Sequence, residues 1–162
     1  MRLRLRRPAI AIACAASAGV AAAAAALRPV TVIELSNAER GRALAVALAP
    51  GEPFSVTSQH SMYDQPVTEE FVVRADGAIA LRAVSSPSAA VREYLGITSG
   101  GEVHAMERVL PEIVFRVAMG APQRLRVAGV ERSFLELGER GDRVVLRAVR
   151  RPAALAPAGG GR

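Results

Sequence analysis

From Val30 onward the chain is cut into short apolar runs by residues that turn the backbone, which leaves room for many strands and little helix. Pro50-Gly51, Asp76-Gly77, Ala128-Gly129 and Gly141-Asp142 each supply a pre-set bend or access to positive φ, as tight reversals require. Between them, strands are expected near Val30–Leu35, Ala43–Leu48, Phe54–Met62, Val67–Arg74 and Ala78–Val84. A second group is expected near Val103–Leu110, Ile113–Val117, Arg124–Val127, Val130–Leu137 and Arg143–Val149. Number and spacing point to a mainly β domain, a single antiparallel sandwich or barrel-like sheet. No internal repeat is visible.

The first 26 residues have a different composition. A cationic start, Met1 to Arg7, leads into an apolar run from Ala9 to Leu27 that ends in small residues, the pattern of a secretory signal. Ala24-Ala25-Ala26 offers a cleavage site before Leu27; uncleaved, residues 8–27 would contact the membrane as an anchor. Either way the domain is expected outside the cytoplasm, periplasmic or held on the inner membrane facing the periplasm. Cys14 follows Ala11-Ile12-Ala13, a poor lipidation context, and the residues after Arg6-Arg7 fit twin-arginine export poorly. The domain boundaries are therefore 1–26 for the signal or anchor, 27–151 for the β domain and 152–162 for an Ala-, Pro- and Gly-rich tail expected to be disordered.

Charge excludes one class of function. The net +6 comes from 21 basic and 15 acidic residues, and four of the arginines, Arg2, Arg4, Arg6 and Arg7, precede the domain. What remains is close to neutral and dispersed, so no nucleic-acid partner is expected. The single cysteine, Cys14, lies in the export segment, so the domain has neither a disulfide framework nor thiol chemistry. His60 and His104 lack metal-ligand spacing, and no metal or cofactor is expected. Ser99-Gly100-Gly101 lacks the flanking pattern of a phosphate loop, and no serine sits in a nucleophile elbow.

One segment departs from the β pattern. Ser86 as cap, Pro87 at the first helical position and Gly96 as left-handed stop frame a short helix, with Ala90, Val91, Tyr94 and Leu95 on its buried face.

The stretch Phe54 to Arg74 is the most informative. With Tyr63-Asp64-Gln65-Pro66 as the loop, Met62 faces Val67, Ser61 faces Thr68, His60 faces Glu69 and Ser58 faces Phe71. Phe54, Val56, Ser58, His60 and Met62 then share the core side with Val67, Glu69, Phe71 and Val73, and Glu70 points outward. A following loop Ala75-Asp76-Gly77 puts Ile79, Leu81 and Ala83 on that same core side. The expected His60–Glu69 pair reads either as an acid–base or ligand site or as a satisfied polar pair at the rim of the core.

The run His60-Ser61-Met62-Tyr63-Asp64-Gln65-Pro66-Val67-Thr68-Glu69-Glu70-Phe71 resembles the signature of a bacterial family known as domain of unknown function eighteen-fifty. Ser85-Ser86 with Ala89-Ala90-Val91-Arg92-Glu93-Tyr94-Leu95-Gly96 is similar to that family's second block, with Leu95 in place of a second aromatic. The resemblance implies a small exported or anchored protein encoded beside the fused membrane subunit of a TAXI-type TRAP transporter; it implies no catalytic residue. Two functions are therefore expected in competition. One is a non-enzymatic accessory domain whose partner is a TRAP transporter membrane subunit. The other is a small-ligand-binding module or hydrolase with its site at His60, Ser61 and Glu69, and Glu70 beside it. N-terminal sequencing of the exported protein should find a mature start near Leu27, whereas recovery only at full length in detergent would mark residues 8–27 as an anchor.

Overall fold

The apolar runs pair as strands because alternation gives each one face to bury. The computed structural model describes residues 23–97 and 103–157, so the segment 1–26, expected to be a signal or anchor, lies almost wholly outside the described residues, of which 23–27 are helical. β1 (Pro29–Asn37) and β2 (Arg42–Leu48) form a hairpin closed by Gly41 at φ 62°. β3 (Phe54–His60), β4 (Gln65–Val73), β5 (Ile79–Ser85) and β6 (Val103–Leu110) follow one another edge to edge, with helix α1 (Ala89–Tyr94) inserted before β6. β7 (Ile113–Arg116) crosses to the first sheet, and β8 (Arg124–Val127) and β9 (Val130–Ser133) return beside β3. β10 (Arg143–Pro152) closes the first sheet between β1 and β7. The result is mainly β, two antiparallel sheets ordered β2-β1-β10-β7 and β6-β5-β4-β3-β8-β9.

One core lies between them. Ile33 and Leu35 of β1 and Val144 and Leu146 of β10 meet Phe54, Val56, Phe71 and Leu125 of the larger sheet, all at most 2% exposed. Phe54 and Phe71 are cross-strand partners whose rings stack at 5.3 Å, and Phe115 and Phe134 meet edge to face at 5.2 Å. Each buried large side chain of this kind contributes about 1.5–3 kcal/mol.

Three expectations change at the ends of elements. The run from Val130 stops as a strand at Ser133, where a capping box with Glu136 turns residues 134–136 into a 3₁₀ helix and sends Phe134 and Leu137 inward. The cap of α1 is Ser88, whose Oγ accepts from Val91 N at 3.4 Å, while buried Ser86 donates to Pro66 O at 2.8 Å. Gly96 does take the left-handed stop, at φ 72°, but α1 buries only Val91 and leaves Ala90, Tyr94 and Leu95 exposed. The tail, expected to lack structure, continues β10 through Pro152 and turns once over Ala153–Leu155, with Ala153 N donating to Arg28 O at 2.9 Å; residues 158–162 lie outside the described residues.

At one end of the smaller sheet, fully buried Asn37 ties the β1–β2 turn to the loop before β10. Its Nδ2 donates to Asp142 Oδ2 at 3.2 Å and Leu137 O at 3.4 Å, and its Oδ1 accepts from Arg40 N at 3.2 Å. Arg40 and Glu139 N also bond Asp142, and Arg40 holds its carboxyl below the usual carboxylate range. Gly138 is buried against this knot: a Cβ there would stand 2.5 Å from Asp142 Oδ2 and 2.6 Å from Asn37 Nδ2. Gly138→Ala should therefore destabilise the fold by about 1–3 kcal/mol in urea titration, while Gly120→Ala, whose Cβ meets nothing within 4 Å, should cost far less.

Candidate functional site

The β3–β4 hairpin decides where the expected site residues fall. Its turn occupies residues 61–64, because Asp64 takes a left-handed conformation at φ 53° and donates its N–H to His60 O at 2.8 Å. Gln59 Nε2 locks the turn by donating to Asp64 O at 2.9 Å and Asp64 Oδ1 at 2.7 Å. Gln65 and Pro66, expected in the loop, are the first residues of β4. The register follows: His60 faces Gln65, Ser58 faces Val67, Val56 faces Glu69 and Phe54 faces Phe71. The expected pairing of His60 with Glu69 is thus overturned; the two stand four residues apart along the ladder, roughly 13 Å at the rise of a strand. Ser61 is an exposed turn residue, and Glu70 is exposed on the outer face as expected.

The faces hold within the two strands, but Met62, expected on the core side, lies in the turn beyond β3 and is 66% exposed. Val56, Glu69 and Val84 are successive cross-strand partners on the core side. Ile79 and Leu81 lie opposite Val73 and Phe71, but the ladder shifts at Arg82, an extra residue in β5, and this moves Ala83 opposite outward Glu70. That bulge corrects the expectation for Ala83.

His60 sits at the hairpin tip in an aromatic trio. Its ring centre is 4.7 Å from that of Tyr94, edge to face, and 5.3 Å from that of Tyr63, while the two tyrosines are 6.2 Å apart. Among the described residues its buried Nδ1 has no hydrogen-bond partner, an arrangement that costs about 1–3 kcal/mol. The helix is what covers it: Tyr94, in the last turn of α1, lies over the hairpin. Around the trio Met62 is 66% exposed, Tyr94 58% and Leu95 41%, so the tip of the hairpin and the end of α1 form one apolar, aromatic surface. No spacing in the sequence signals this contact, since residues 63 and 94 belong to different elements joined through β4 and β5.

Glu69 lies elsewhere, half-buried at the wall of a half-open cavity of about 370 Å³ between the edges of the two sheets. Phe71, Leu81, Leu110, Ile113 and Phe115 supply its apolar lining. Arg108, opposite Leu81 on β6, enters the same cavity. Burial pushes the Glu69 carboxyl above the usual carboxylate range, and the nearby Arg108 charge offsets only part of that. Glu112 at the rim is held by Arg147, whose Nε donates to it at 2.7 Å. Sequence reasoning missed Arg108, although its alternation with Leu110 along β6 was the available signal.

A larger open cleft of about 840 Å³ lies where β1 begins and β2 ends. Three of its charged side chains are answered locally: Arg150 Nη2 donates to Ala75 O at 2.7 Å, Arg74 pairs with Asp76 at 3.6 Å and Glu52 accepts from Ala49 N at 3.1 Å. Among the described residues no three His, Cys, Asp or Glu side chains gather as a metal site, and no helix is long and apolar enough to cross a membrane.

Comparison with models of protein families, with curated proteins and with solved structures finds no match.

The raised Glu69 carboxyl fixes the sign of a pH effect. Between its ordinary 4.5 and its higher folded value, the folded chain keeps a proton that the unfolded chain has lost. The stability this lends is full below 4.5 and is lost as pH rises through the folded value. Glu69→Gln cannot ionise, so its melting temperature should climb relative to wild type as pH rises from about 4 to about 8. A difference independent of pH would show that Glu69 carries no burial penalty.

Proposed function

We propose that the chain is an exported, non-enzymatic accessory domain, a two-sheet β-sandwich that works by contact, with the membrane subunit of a TRAP-type transporter as its partner. The observation that carries this reading is the exposed aromatic surface formed by His60, Met62, Tyr63 and Tyr94. Aromatic and methionine side chains are enriched at the cores of protein interfaces, where they bury much area at little entropic cost. The same residues belong to the two blocks on which the family resemblance rests, and it is the resemblance that supplies the transporter as partner. The apolar segment before Leu27 supports delivery to the outer side of the membrane, where such a subunit would be met.

The hydrolase alternative asked His60, Ser61 and Glu69 to act together. A base and its orienting carboxylate need hydrogen-bond contact, about 2.6–3.2 Å, and the β3–β4 register holds His60 and Glu69 apart. A contact role makes no such demand.

Association with the membrane subunit should fall roughly 30-fold or more when Met62, Tyr63 and Tyr94 are replaced together by serine, the loss expected for an interface hot spot. The variant should stay folded with a modest fall in melting temperature, because all three side chains are exposed and only the ring contacts of Tyr63 and Tyr94 with His60 are lost. Glu70→Ala, on the outer face, serves as control. Co-purification from membranes reads the result; binding of the triple variant at wild-type strength would remove this surface from consideration.

A further inference from the structure

Glu69 and Arg108 share one cavity of mixed apolar and charged lining, yet they form no ion pair with each other, and among the described residues neither is held by another side chain. This is unusual for a half-buried carboxylate. Proteins normally answer a half-buried carboxylate with a cation or a set of N–H donors. Here the cation is present but stands off. The cavity's volume of about 370 Å³ lies at the small end of the range of about 300–1,000 Å³ typical of small-molecule sites. Its position is also that of a site: the edge where β6 leaves one sheet and β7 enters the other, with Phe71 and Phe115 as aromatic walls.

We infer that this cavity binds a small zwitterion with an apolar body, of the class of α-amino acids with aromatic or aliphatic side chains. The ligand's ammonium answers Glu69, its carboxylate answers Arg108, and its side chain lies against Phe71, Leu81, Leu110 and Phe115. Each charged group of the site then gains an opposite charge without having to move to the other. A ligand bearing one charge alone satisfies half of the site and leaves the remaining group in its present unpaired state. Glu112 does not compete for the ammonium, because both Nε and Nη2 of Arg147 engage its Oε2, at 2.7 and 2.5 Å. Charged hydrogen bonds contribute about 1.5–3 kcal/mol each, so loss of either head group corresponds to roughly tenfold in affinity or more. The inference is independent of the aromatic surface at the hairpin tip, and either can fail without the other.

Calorimetric titration of the full-length protein with three molecules sharing one apolar body tests it: L-phenylalanine, 2-phenylethylamine and 3-phenylpropanoate. Phenylalanine should bind at least about tenfold more tightly than either analogue. Glu69→Gln should bring phenylalanine down to the level of the acid, and Arg108→Gln to that of the amine. Arg108 is exposed and its replacement leaves the core intact, so the second variant reports even if the first folds poorly. Equal binding of 3-phenylpropanoate, unaffected by Glu69→Gln, would mean that the site reads a carboxylate alone and would overturn the inference. Equal binding of the amine, unaffected by Arg108→Gln, would overturn it likewise, as would absence of saturable heat from any of the three at about 10 mM.

Discussion

The pairing of the first strand with the last is the contact on which the rest of the fold depends. β1 and β10 run antiparallel from Pro29 opposite Pro152 to Ser36 opposite Val145, and they are the two inner strands of the smaller sheet. Without that ladder the β1–β2 hairpin and the β10–β7 pair are two separate ribbons with no common sheet. Ile33, Leu35, Val144 and Leu146, which form the lid over Phe54 and Phe71, reach the core only through it. The residues that register it are more than a hundred positions apart, so loop closure precedes any reward, and slow folding is expected of such topology. The knot of Asn37, Arg40, Gly138 and Asp142 lies at the end of this same ladder. It gives the ladder a fixed end: buried Asn37 has all its bonding atoms answered only when the β1–β2 turn and the loop before β10 stand side by side.

The two acidic residues with perturbed protonation therefore mean different things. Asp142 is held below the usual range because Arg40, Glu139 N and Asn37 all donate to it. Its charge is part of the structure that contains it. Glu69 is moved the opposite way by burial, with no donor to compensate. A carboxylate that the fold stabilises belongs to the fold; one that the fold leaves unanswered, at the wall of an open cavity, is available to something outside the chain.

Much of the fold was legible because period-two alternation and turn residues are local signals. All ten strands occur at the expected runs, and Gly51, Gly77, Gly129 and Gly141 adopt the positive φ for which their turns called. What local signals could not supply is which strands become neighbours. Nothing in residues 29–37 announces residues 143–152 as their partner; that choice belongs to the assembled core. Element ends were lost for a related reason. Ser86 and Ser88 are equally good caps by type, and only the bond from Ser86 to Pro66 O, made possible once β4 and β5 are paired, leaves Ser88 to cap α1.

The site was harder to read, and the β3–β4 hairpin shows why. Placing the loop at 63–66 instead of 61–64 changes every cross-strand pair, yet because both loops hold four residues and the slip is even, no side chain that stays in the two strands changes face; Met62 alone loses its expected core position by passing into the turn. Hydrophobic patterning penalises only slips that turn Phe54, Val56 and Phe71 outward, so it fixes faces firmly and partners weakly. A core needs only the first kind of information, since Val56 is as well buried against one apolar neighbour as against another. A functional site needs the second, and here it rested on Asp64 accepting a left-handed φ and on Gln59 closing over it. Those two residues set His60 against the tyrosines and leave Glu69 to face Arg108 across the cavity.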